Sequence, residues 1–155
     1  MKKHITLIAA GILLIANSCN SVQKTNNNNS QQTTMSENTV LGKKWKLIEL
    51  YGKPVADQVN GKEPYLKLLK HDKEFVYEAS GGCNGIGGAL TLSGMRVHFA
   101  QGMSTMMACE DMSIEQGLSK ALLAADNYTV SKEGDVLSIN KARMAPLARF
   151  RAVAE

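Results

Sequence analysis

Apolar and polar residues alternate with the two-residue period of half-buried strands along most of the chain after residue 40. In KWKLIELY (44–51) the alternation puts Trp45, Leu47, Glu49 and Tyr51 on one face and Ile48 and Leu50 on the other. YLKLLK (65–70) and EFVYEA (74–79) are joined by His71-Asp72-Lys73 and read as a hairpin. ALTL and MRVHF flank Ser93-Gly94, a two-residue hairpin signal. That hairpin turns Leu90, Leu92, Val97 and Phe99 inward and Thr91, Arg96 and His98 outward. YTVSK and DVLSIN flank Glu133-Gly134 in the same way, and LARFRAV (147–153) supplies a last strand behind Pro146.

One segment has a different period. From 113 to 125 the apolar residues Ile114, Leu118, Ala121, Leu122 and Ala125 fall at helical spacing. Ser113 with Gln116 has the form of a capping box, and Glu115 lies in the first turn, where the helix dipole favours an acid. The expected class is therefore α+β, an antiparallel, curled sheet of five to eight strands with one amphipathic helix late in the chain.

The pattern before residue 41 is not that of a folded domain. Met1-Lys2-Lys3-His4 and the apolar run 5–16 form the basic and hydrophobic parts of a signal peptide, too short to span a bilayer, which needs about 20 apolar residues. Ile15-Ala16-Asn17-Ser18-Cys19 resembles a bacterial lipobox. Residues 1–18 are expected to be removed, with Cys19 lipidated as the new N-terminus; the alternative is ordinary cleavage that leaves Cys19 a spare thiol. Residues 19–40, with a run of four asparagines, lack the apolar surface to offset ordering entropy and read as a tether. A body at 41–155 would hang from a membrane, the outer membrane by the sorting rules that Asn20 resembles, in a leaflet the sequence does not specify. The 18 basic residues fall to 16 without Lys2 and Lys3, against 14 acidic, and are scattered. No basic groove with interleaved aromatics points to nucleic acid.

Two cysteines remain, Cys83 and Cys109. The glycine run 81–88 around the first is followed by a strand, not by the helix that a phosphate-binding loop needs, and reads as a tight, bulged passage between strands. Catalysis by Cys83 would need a base, and His71 and His98 sit in no catalytic pattern. Zinc would need closer ligand spacing. The reading preferred is a disulfide formed in an oxidising compartment, worth about 3 kcal/mol for a loop of this length, against two buried free thiols. No catalytic residue, metal or cofactor is assigned. A thiol-dependent enzyme or redox sensor using Cys83 and Cys109 is the rival class.

Gly82-Cys83-Asn84, followed by Thr105-Met106-Met107-Ala108-Cys109, resembles the paired signature words of the META (HslJ-like) domain family. The opening strand at Trp45, the helix from Ser113 and a hairpin from Tyr128 to Ile139 agree with it, and 57–65 departs from it as a longer loop. The resemblance implies a sheet curled around a helix like a cracked barrel. It implies an envelope lipoprotein linked to stress tolerance such as heat shock, without enzymatic activity. A fold of similar shape occurs in pilot lipoproteins that bind lipid tails and chaperone a partner. Asn84 and Thr105 are expected to satisfy backbone groups where the two motif loops meet. Met103, Met106, Met107 and Met112 are either core filler or an adaptable apolar contact surface for a lipid tail or hydrophobic peptide. The functional expectation is a non-catalytic module, held to the membrane by the lipid on Cys19, that binds an unidentified envelope protein or lipid-like ligand.

Overall fold

The computed structural model of the chain describes residues 39–154. The expected leader, Cys19 and the tether up to residue 38 lie outside the described residues. The elements in chain order are β1 (Lys44–Leu50), β2 (Lys53–Pro54), β3 (Tyr65–His71), β4 (Glu74–Ser80), β5 (Gly85–Ser93), β6 (Arg96–Phe99), β7 (Met103–Ser104), α1 (Ser113–Ala124), β8 (Asn127–Val130), β9 (Val136–Asn140) and β10 (Ala148–Val153).

The strands run antiparallel in the order β10-β9-β8-β6-β5-β4-β3-β1, and β1 then pairs with β10 from Lys44↔Val153 to Leu50↔Ala148. The expected α+β, cracked-barrel sheet is therefore corrected. The sheet is a closed eight-strand barrel, 47% strand and 12% helix, with one short helix. Alternation shows which face of a strand is apolar but not which strand is its neighbour, so the seam between the first and last strands was not legible. Closure leaves the barrel without the exposed edges of an open sheet. Two short strands stand outside the ring: β2 beside β1, and β7 beside the start of β5.

The barrel is filled by side chains, as expected at this strand number. Trp45, Leu47, Leu66, Leu68, Phe99, Tyr128, Leu137, Ile139 and Phe150 are fully buried, and Leu118 and Leu122 enter from α1. The inward set at Leu90, Leu92, Val97 and Phe99 and the outward set at Thr91, Arg96 and His98 are as the alternation predicts. In β1 the alternation fails. A register shift between Leu47 and Glu49 turns Leu50 into the core, while Tyr51 swings out into solvent with φ 50°. The β5–β6 turn is Gly94-Met95, one residue later than expected, with Gly94 at φ 62°. The glycine run is partly strand, because β5 begins at Gly85. Glycine is needed where the segment after β6 crosses β5: a Cβ on Gly102 would lie 1.8 Å from the Gly87 carbonyl oxygen.

The two ends of the barrel differ. At one end lie the β3–β4 turn and the point where the chain enters. There the Gly42 N–H donates to the Leu68 carbonyl, Lys43 Nζ reaches the Gly134 carbonyl at 3.2 Å, and the Trp45 indole N–H donates to the buried Val40 at 2.9 Å. At the other end β4 runs into residues 81–84, and α1 packs against β1, Leu50 fitting over Gly117.

Candidate functional site

The far end is built from four segments that the sequence keeps apart: residues 59–62, 81–85, 105–111 and the first turn of α1. Cys83 and Cys109 are joined in a disulfide, with Cα atoms 6.1 Å apart across a separation of 26 residues. Cys83 is only 3% exposed. The glycines before it are there for close approach. A Cβ on Gly81 would lie 2.3 Å from Glu115 Cα, and one on Gly82, which has φ +106°, would lie 2.5 Å from the Val59 carbonyl oxygen.

Asn84 is the hub. Its side-chain oxygen accepts from the Met107 N–H at 2.7 Å and from the Thr105 hydroxyl at 2.9 Å. Its amide nitrogen donates to the Met107 carbonyl at 3.1 Å and to Glu115 Oε1 at 3.0 Å. Both donors and both lone pairs of the amide are thus used. The backbone N–H of Asn84 donates to Glu115 Oε2 at 2.5 Å, and the Gly85 N–H donates to Thr105 Oγ1 at 3.2 Å. Asn84 and Thr105 therefore bind backbone of the facing loop. Trp45 lies in the core near the entry end, away from this network.

Glu115 is the residue sequence reasoning missed. It is 6% exposed, and both carboxylate oxygens are held by Asn84, 31 residues away. Its signal was present: it lies on the same helical face as Leu118 and Leu122, so an acid stands on the apolar stripe. The expected capping box does not form. Met112 occupies the N-cap without a side-chain bond, Ser113 is already helical, and the Ser113 N–H donates to Asp111 Oδ1 at 2.8 Å. Bonding from the Ser113 hydroxyl and then its N–H holds the Asp111 carboxyl below its ordinary range. Asp111 is also tied through its backbone, since Asn60 Nδ2 donates to its carbonyl at 2.7 Å and its N–H donates to Asn60 Oδ1 at 3.1 Å. Lys62 Nζ donates to the Cys83 carbonyl at 3.3 Å.

The methionines are not in the core. Met103 is 86% exposed, Met106 97% and Met107 50%, and Met112 is half-buried at the helix start. Met103 borders an open hollow of about 580 Å³ on the outer face of β4 and β5, with Tyr65 and Val76. A second cleft of about 380 Å³ lies between β7 and α1 and is floored by Tyr77 and Ile86. Burial raises the Tyr77 phenol above its ordinary pKa, and its hydroxyl donates to the Ala100 carbonyl at 2.9 Å. His71 and His98 are exposed on β3 and β6, in a different part of the molecule from the cysteines. Among the described residues no group of three or more His, Cys, Asp or Glu is arranged to hold a metal.

A family model described as META domain matches residues 38–154. Two solved structures share the fold. One, an NMR structure of a protein from Burkholderia xenovorans, aligns over all of both chains at 18% identity with a TM-score of 0.61. The other, also an NMR structure, covers 74% of this chain and 92% of its own at 16% identity and a TM-score of 0.56. At these identities the likeness is one of fold. No curated protein matches the chain.

Proposed function

The chain belongs to the META domain family, and on that footing we propose that it is a non-catalytic docking module of the bacterial envelope, lipid-anchored through Cys19 at the outer membrane and serving stress tolerance. The observation that carries this reading is the exposure of Met103, Met106 and Met107 on a segment tied to β5 and to Asn84. Met103 pairs with Gly87, Met107 is gripped by Asn84 through both its N–H and its carbonyl, and Cys109 closes the segment covalently. A domain that fixes bare thioethers in water keeps an apolar surface ready for contact, and methionine suits surfaces that adapt to their partner.

The chain's point of entry supports a protein partner over the bilayer. Residues 39–43 lie at the end opposite the disulfide, so the methionines are carried at the end of the barrel away from the point where the proposed tether joins. The bond between Cys83 and Cys109 favours a structural role for the pair over the rival thiol-dependent reading.

The test is a photo-crosslinking residue placed at Met106 in the full chain in living envelopes, with the same residue at Lys70, near the entry end, as control. A discrete protein adduct from position 106 and none from position 70 is expected. Adducts to lipid alone, or equal yields from both positions, overturn the reading.

A further inference from the structure

The barrel is closed everywhere by paired strands, yet one junction is thin. Between β6 and β8 the only register pair is Arg96↔Asn127. Beyond it the chain runs on from β6 as residues 100–104 beside the start of β5, with α1 across a cleft from them. The cleft of about 380 Å³ between β7 and α1 is the space left over.

The wall of that cleft formed by β7 is a strand edge. The Thr105 N–H donates to the Gly85 carbonyl, so residue 105 faces β5. N–H and C=O groups alternate between the two edges of a strand, so those of Ser104 point away from β5. Ser104 and Gly102 both line the cleft. The edge has no charged side chain and no proline over residues 101–104. Tyr77 and Ile86 form an apolar floor, and Leu123, 42% exposed, stands on the helix wall. Glu115, Gln116, Ser119 and Lys120 also line that wall; the Glu115 carboxylate is taken up by Asn84, and among the described residues Lys120 is the one cation that lines the cleft.

We propose that this cleft is a strand-addition site, in which an extended segment of a partner protein pairs with the backbone of β7, sets alternate apolar side chains on Tyr77 and Ile86, and brings an acidic residue to Lys120. The inference rests on the reading of the domain as a docking module and names what it docks. The free edge decides between occupants. An acyl chain would cover the apolar floor but leave the donor and acceptor of Ser104 unpaired in a desolvated site, whereas a peptide strand supplies both partners. The volume lies within the range of ligand clefts, about 300–1,000 Å³.

The test starts from a random-peptide library displayed on phage and panned against the full chain. The selected peptides are expected to alternate apolar residues and to share an acidic position. They should shift and protect the amide of Ser104 in spectra of isotope-labelled protein. Ser104→Pro removes that donor without removing a bond to β5, and is expected to weaken the selected peptides by about tenfold. Ser119→Trp fills the cleft from the helix side and should abolish binding, so the outcome does not hang on how β7 tolerates proline. Failure to select any peptide overturns the proposal, as do selected peptides indifferent to both substitutions or displaced by oleate without any change at Ser104. The two readings fail separately: a protein crosslink at Met106 that survives Ser119→Trp keeps the docking module and removes the strand-addition site.

Discussion

Trp45 and Asn84 are both buried, yet they hold the molecule by different means. Trp45 sits among apolar neighbours from several strands and makes one directed bond, to Val40. Asn84 makes four side-chain bonds and one backbone bond, all directed, to two segments distant in sequence. In the wall, energy is spread over many weak contacts, and no single atom is decisive. At the stapled end it is concentrated in a few polar atoms with specific, directed partners. A region built in the second way holds loops in one conformation without a large core beneath them, which suits a surface that must present Met103 and Met106 in fixed positions.

That contrast is most directly broken by exchanging large for small in the wall. Trp45→Ala should cost about 3–5 kcal/mol, through lost burial and the cavity left behind. The loss should be global, with one cooperative transition at lower temperature by every probe. Asn84→Ala should cost about 2–4 kcal/mol, since it strips Glu115 of its side-chain donor and leaves the Met107 N–H and carbonyl to water. Its signature differs: hydrogen exchange should rise first at residues 82–87 and 105–109, while the amides of β9 and β10 stay protected. If both variants open the whole barrel alike, the division between wall and stapled end is wrong.

The disulfide sharpens the same comparison. Closing 26 residues of sequence contributes about 3 kcal/mol, mainly through the unfolded chain. Cys83→Ser and Cys109→Ser should therefore lower stability by similar amounts, about 3 kcal/mol each. A thiol enzyme would instead lose function in Cys83→Ser with its melting curve unchanged. Thermal melts of both single variants beside the crosslinking yield at Met106 separate the two accounts.

The same division explains what the sequence disclosed. Strand faces are local, so Leu90, Leu92, Val97 and Phe99 were assigned inward from their spacing alone. The slip at Leu47/Glu49 depends on where Arg149 and Phe150 sit across the β1–β10 seam, and nothing in KWKLIELY announces it. A hint of the seam lay in the pairing of Glu49 with Arg149, whose side chains meet at 3.5 Å, but complementary charges 100 residues apart are common by chance. Cys83, Asn84, Thr105 and Cys109 were found as words, without the acid that joins them. Glu115 was explained too easily by the helix dipole, which accounts for an acid in a first turn but not for one on the buried face. Met103, Met106, Met107 and Met112 were left between core filler and contact surface, because their spacing does not register that a disulfide and an amide hub hold the segment out of the core.

The smallest effect concerns the start of α1. The Asp111 carboxyl is depressed below its ordinary value of 3.8 by the Ser113 hydroxyl and N–H. A depressed carboxylate adds stability that is complete above the unfolded value and lost as pH falls through the folded one. Asp57, Glu63 and Asp126 are lowered as well, so the whole chain should lose stability below about pH 4, and only a difference isolates Asp111. Asp111→Asn keeps the backbone bonds to Asn60 and removes the charge. At pH 7 the wild-type chain should melt slightly higher than Asp111→Asn, and the gap should close toward pH 2–3. A gap that stays constant with pH would mean that the carboxylate contributes no more than a neutral amide there. The tie between the stapled end and the helix would then be carried by Glu115 and the Asn60 backbone bonds alone.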